Sequence, residues 1–158
     1  MAVVVSRIVF ITAAVAFAAC GAAPSAPSQQ GPLRLTVEPL QTLTGSSSVA
    51  EFALKLQNTS ADSIDITFPS SCQVMPYVVE RSTGRIVGPS GGSWVCATVI
   101  RKLTLGPGET HKDTAHVMAG TDPRSPYIVV PPGDYAIYAR LEDLTFKLQS
   151  TSVPFSVR

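Results

Sequence analysis

The chain has 158 residues, which leaves one domain of roughly 125 residues once an apolar leader is set aside. That is long enough to bury a single core without help from a metal. Its 12 Lys+Arg and 11 Asp+Glu nearly cancel, and 11 of each sign remain when Arg7 leaves with the leader. A neutral chain without a basic run has no electrostatic basis for binding nucleic acid, nor a polybasic patch for anionic lipid.

The leader comes first. Arg7 is the lone charge of a short basic region, and Ile8 to Ala19 is an apolar run of signal-peptide length, shorter than the roughly 20 residues a spanning helix needs. It ends Phe17-Ala18-Ala19-Cys20-Gly21, with small residues before a cysteine, as at a lipoprotein signal peptidase site. Cleavage there makes Cys20 the first residue, carrying thioether-linked and amide-linked acyl chains such as palmitate. Secretion after an A-x-A-like site and an uncleaved anchor are the competing readings. Gly21 to Pro32 is small, polar and proline-rich, the composition of a tether. No aspartate follows Cys20, which in a diderm cell favours the outer membrane. The expected division is a signal peptide at 1–19, lipidated cysteine and linker at 20–32, and a domain at 33–158.

Cys72 and Cys96 remain as an even pair in an oxidising compartment and are expected to form a disulfide, contributing about 3 to 4 kcal/mol on the chain-entropy account. A metal-binding pair would need His, Cys or acidic neighbours, and Ser70-Ser71-Cys72-Gln73 and Trp94-Val95-Cys96-Ala97 have none.

Within the domain, short β-rich runs alternate with turn residues, the pattern of an all-β fold. Leu33, Leu35 and Val37 alternate with Arg34 and Thr36; Phe52, Leu54 and Leu56 alternate within Val49 to Gln57. Asn58 to Asp62 reads as a turn whose short side chains bond the local backbone. Ile64, Ile66 and Phe68 share the next face. Further strands are expected at Tyr77–Arg81, Arg85–Gly88, Trp94–Leu105, Thr110–Met118, Asp134–Leu141 and Phe146–Val157. Eight or nine such strands bury a core most simply as two packed antiparallel sheets, an immunoglobulin-like β-sandwich.

Four phrases occur in order: Phe52-Ala53-Leu54-Lys55-Leu56-Gln57-Asn58-Thr59-Ser60, Ile64-Asp65-Ile66-Thr67-Phe68-Pro69-Ser70, Leu105-Gly106-Pro107-Gly108-Glu109-Thr110 and Val130-Pro131-Pro132-Gly133-Asp134-Tyr135. Together they resemble the BsuPI family of intracellular proteinase inhibitors, from about Val49 to Leu141. The resemblance implies an immunoglobulin-like sandwich and a protein partner, a subtilisin-type serine protease in the inhibitory form.

Catalytic chemistry is hard to find. On a strand, His111 and Asp113 share a face and His116 takes the other, so the three cannot converge on one metal. There is no G-x-S-x-G elbow, no Walker loop and no dinucleotide fingerprint, and adjacent Glu142 and Asp143 make a poor acid/base pair. No enzyme, cofactor or metal is expected. Function then falls to loops. Gly120 to Pro132 is proline-stiffened and carries Arg124 and Tyr127; Gly88 to Trp94 is glycine-rich and ends in a candidate anchor, Trp94. Against these stand plainer roles, with Tyr127 to Val130 as a core or edge strand and Trp94 filling the core against the disulfide. Two functions follow: a tethered inhibitor-like module that binds a protein, or an assembly module of the cell envelope that docks through an exposed strand edge.

Overall fold

The computed structural model describes residues 28–40, 49–122, 125 and 127–158. The signal peptide, Cys20, most of the linker and Arg124 lie outside the described residues. Among the described residues, eleven strands follow in chain order: β1 (Ser28–Gln30), β2 (Leu33–Pro39), β3 (Val49–Asn58), β4 (Ile64–Phe68), β5 (Val74–Glu80), β6 (Ile86–Gly88), β7 (Arg101–Leu105), β8 (Thr110–Ala119), β9 (Ile128–Val130), β10 (Gly133–Leu141) and β11 (Val153–Val157). One 3-10 turn lies at Ser90–Gly92. Among the described residues, no helix is long and apolar enough to cross a membrane.

The sheets have the orders β1-β2-β3-β8-β9, β11-β10-β5-β6 and β4-β7. The two larger ones pack face to face because alternation gives each an apolar side. Leu33, Leu35, Phe52, Leu54, Leu56 and Val117 come from the first sheet, and Val78, Ile137, Ala139 and Phe155 from the second. Each such side chain contributes about 1.5–3 kcal/mol when it is large and fully buried. The Phe52 and Phe155 rings meet edge to face at 5.0 Å across the core. Ile66 and Phe68 of β4 and Leu105 of β7 close one flank. This is the expected all-β sandwich.

Several boundaries differ from expectation, each for a local reason. β7 starts at Arg101 and not at Trp94, because residues 94–100 are held by side chains and a disulfide in place of a ladder. β11 starts at Val153 and not at Phe146. Ahead of it, the Asp143 carboxylate accepts the N–H groups of Thr145 and Phe146 at 2.9 Å each and of Lys147 at 3.3 Å, which curls the chain. β1 falls within the stretch read as linker, pairing Ser28–Gln30 with Leu33–Leu35. The sheets are not wholly antiparallel either: Ile128–Val130 runs parallel to Val117–Ala119 at the edge.

Asn58 ties three chain segments together. It is fully buried, and its Nδ2 donates to the carbonyls of Asp62 at 2.7 Å and of Leu105 and Gly106 at 3.0 Å each. Its Oδ1 accepts the Ser60 N–H at 2.9 Å and the Ser60 hydroxyl at 2.8 Å. The Gly106–Glu109 turn that it meets is closed by Glu109 N–H donating to the Gly106 carbonyl at 3.1 Å, with Gly108 at φ 72°, a conformation glycine adopts without strain. The Glu109 carboxylate accepts the Gly106 N–H at 2.7 Å. Across the molecule, Tyr135 at the start of β10 donates its hydroxyl to the Pro131 carbonyl at 2.7 Å, the tyrosine-corner arrangement of Greek-key sandwiches.

Asn58→Ala removes one donor from the carbonyls of Asp62, Leu105 and Gly106 and the acceptor of the Ser60 N–H and hydroxyl. It should cost about 2–4 kcal/mol, read as a lowered urea midpoint with an unchanged slope. A loss below about 0.5 kcal/mol, the range of ordinary surface changes, would show that water replaces the amide.

Candidate functional site

β6 must end where it does. A Cβ on Gly88 would lie 2.3 Å from Ile128 Cγ2 and 3.2 Å from Val78 Cβ, so only glycine lets β6 approach β9 this closely. From there the chain turns through Gly91 and Gly92, both with positive φ, and reaches Trp94. The indole is half-buried against the core, and its Nε1–H donates to the Pro76 carbonyl at 2.9 Å. Cys96 is bonded to Cys72 across a Cα–Cα distance of 5.6 Å. Ser71 then grips the next residue twice: its N–H donates to the Ala97 carbonyl at 2.9 Å, and its hydroxyl accepts the Ala97 N–H at 2.9 Å. Val99 N–H closes back on the Ala97 carbonyl at 2.9 Å.

The second loop leaves β8 at Gly120, where φ is 152° and the N–H donates to the Val130 carbonyl at 3.0 Å. Ser125 N–H donates to the Asp122 carbonyl at 3.3 Å, and Tyr127 N–H to the Ser125 hydroxyl at 3.1 Å. Tyr127 itself is 46% exposed. Its ring lies 5.2 Å from that of His116, whose Nδ1 is 3.4 Å from Glu51 Oε1. Ile128 and Val130 turn inward, so the edge-strand role applies to them, while the Tyr127 ring stays outside.

Both loops line one cleft of about 410 Å³, with Pro89, Trp94 and Val95 on one wall and Asp122, Tyr127 and Ile128 on the other. A smaller depression of about 180 Å³ shares Trp94, Tyr127 and Ile128 and runs on to Pro76 and Asp113. Trp94 and Tyr127, singled out from separate loops in the sequence, thus stand together. Arg124 lies outside the described residues. The Trp94 side chain packs on the core and also lines the cleft. What sequence reasoning missed is Val95, whose side chain is 100% exposed. An expected strand over Trp94–Leu105 hid it. An apolar residue between an anchored tryptophan and a bridged cysteine is the signal that could have found it.

The β8 register sets His111 opposite Leu56, Asp113 opposite Leu54 and His116 opposite Glu51, so the first two share a face and the third does not. Among the described residues, no group of three or more His, Cys, Asp and Glu side chains is placed to hold a metal. The cleft is lined by apolar and aromatic side chains, among them Pro89, Trp94, Val95, Tyr127 and Ile128, together with Ser90, Ser93, Asp122 and Ser125.

The BsuPI family, described as intracellular proteinase inhibitor, matches residues 37–145. The chain belongs to this family. The span shared with the BsuPI proteins runs from β2 past the end of β10 and includes Asn58, the disulfide, Trp94 and Tyr127. No curated protein sequence matches the chain. Among solved structures, a β-glucosidase from Erythrobacter marinus aligns at 15% identity and TM-score 0.40, over 80% of this chain and 15% of that one. One from Listeria innocua aligns at 13% and 0.42, over 83% and 16%, and one from Bifidobacterium adolescentis at 18% and 0.36, over 78% and 16%. The chain therefore spans under one fifth of these enzymes, and at such low identities and TM-scores the likeness says nothing about activity.

Beside Pro76, which receives the Trp94 indole, the outer face of the second sheet carries a stacked pair. The Tyr77 and Tyr138 rings lie 5.4 Å apart and 12° from parallel. The Arg140 guanidinium sits 4.9 Å and 5.4 Å from their centroids, and Tyr77 donates its hydroxyl to Glu142 at 2.8 Å. Burial, then the Glu142 hydrogen bond and its charge, push the Tyr77 phenol up to about 12 from 10.0. A raised folded-state value favours the neutral phenol. Its stabilising contribution is therefore fully present below about pH 10 and is lost as pH rises towards about 12. Tyr77→Phe should fall less in urea midpoint over that window than the parent. Equal slopes would show that Tyr77 ionises alike in the folded and unfolded states.

Proposed function

We propose that this BsuPI-family chain is a lipid-anchored inhibitor module of the cell envelope, holding a subtilisin-type serine protease at the cleft between residues 88–100 and 120–131. The observation that carries the reading is the convergence of both loops on one cleft, in a chain of a proteinase-inhibitor family. Each wall is stiffened, one by the disulfide and the Ser71–Ala97 bonds and the other by the Gly120–Val130 bond. A pre-ordered surface loses little conformational entropy on binding, which is how a modest contact area becomes a tight complex. Such a module acts by occupancy and needs no catalytic group or cofactor.

The anchor is read from Ile8–Cys20. Acylation of Cys20 would hold the module at a membrane, the outer one in a diderm cell, facing the periplasm or the surface, with residues 21–27 as spacer. Cys20→Ser should abolish palmitate labelling and move the protein out of the membrane fraction; labelling that persists would place the lipid elsewhere. For the inhibitor reading, the purified exported chain should cause slow, stoichiometric loss of subtilisin-type activity, weakened by Tyr127→Ala. Inertness against a broad protease panel, with the domain surviving intact, would sink it.

A second reading rests on a different observation. β9 covers β8 only along Val117–Ala119, so Thr110–His116 has no strand on that side among the described residues. A partner could add a strand there, making the chain an envelope assembly module. Cross-linking from this edge that traps an envelope complex and no protease would favour it.

A further inference from the structure

Residues 93–100 leave the 3-10 turn and reach β7 without joining any sheet, yet they are firmly held. Ser93 is extended, at φ −137° and ψ 142°, and no residue from Ser93 to Ile100 has a positive φ. Trp94 is pinned by its indole hydrogen bond and by packing on the core. Cys96 is pinned by the disulfide and Ala97 by its two bonds to Ser71. Between these fixed points the Val95 isopropyl group projects fully into solvent, 100% exposed. Single exposed apolar residues are common on surfaces. A branched apolar side chain held out by immobilised neighbours on both sides is a different object, because its direction is set before any partner arrives.

That arrangement fits what a serine protease reads. Such an enzyme takes one side chain of a bound segment into a primary pocket whose shape sets preference, and it binds extended backbone through main-chain hydrogen bonds. A segment already fixed in shape avoids the ordering cost of a flexible peptide. We propose that Trp94–Ala97 is the segment inserted into the protease active-site cleft, and that Val95 fills the primary specificity pocket. This rests on the inhibitor reading and sharpens it. The target is a serine protease whose pocket accepts a medium-sized aliphatic side chain, with Ile100, 71% exposed, and Tyr127 in flanking contact.

The test compares inhibition constants of the exported full chain, Val95→Asp, Val95→Lys and a control, Ala61→Asp. Ala61 is exposed in the turn after β3, at the opposite end of that strand from the cleft. The panel holds subtilisin-type, elastase-type and trypsin-type proteases. A negative charge driven into an apolar pocket should weaken inhibition by about 100-fold or more, while the control keeps parental potency. All variants should share the parent's urea midpoint, because the Val95 side chain is wholly in solvent. Val95→Lys should lose the aliphatic-preferring target and gain the trypsin-type one. If the parent inhibits and Val95→Asp inhibits equally well, the assignment of Val95 is overturned while the inhibitor reading stands. If the parent inhibits no member of the panel, both are overturned.

Discussion

At Asn58 a single amide, sealed from water, supplies hydrogen to three carbonyls and accepts two hydrogens from Ser60. Those carbonyls belong to the turn after β3 and to the end of β7, segments far apart in sequence. A buried carbonyl without a donor costs free energy comparable to a lost hydrogen bond, so the turn, the two-stranded sheet and the Gly106–Glu109 corner must settle together. β8 begins just past that corner, and its register with β3 follows from it. At the far end of β8 lies Gly120, the origin of one cleft wall. The Asn58 amide and this cleft wall thus lie at opposite ends of the β3–β8 pair.

The other wall is built without a sheet. Residues 94–100 lack ladder partners, and three unlike devices replace them: an indole N–H donated to Pro76, a covalent bridge to Cys72, and the doubled bond between Ser71 and Ala97. All three draw on the short stretch 71–76 that leads into and opens β5. Rigidity at the cleft is thereby taken from the core strand β5, so an exposed loop acquires the order of the interior. A ladder would have fixed this loop as well, but it would have alternated the side chains in and out.

Local pattern carried much of the fold. Period-two alternation in β2, β3 and β4 followed burial closely, with Ala53 the buried exception on the outward face of β3 and Ile64 only partly buried, because each lies in a sheet with one face on the core. The signal failed where the backbone is satisfied by something other than a neighbouring strand. Trp94–Ile100 reads as a strand by composition, but the Ala97 backbone bonds Ser71 and Cys96 is bridged to Cys72. Phe146–Thr151 reads likewise, but the Asp143 carboxylate collects its N–H groups. Neither partner can be inferred from period or propensity, since each depends on which distant or unexpected group arrives.

By itself the sequence determined the all-β class, the cysteine pair and the turn chemistry at Asn58, because these follow from side-chain type and short-range spacing, and it carried the family resemblance. Only the tertiary structure decided that Trp94 and Tyr127 share one cleft, that β9 runs parallel to β8, and that Val95 faces water. Those facts depend on contacts between residues tens of positions apart, and no local periodicity encodes where two loops will meet.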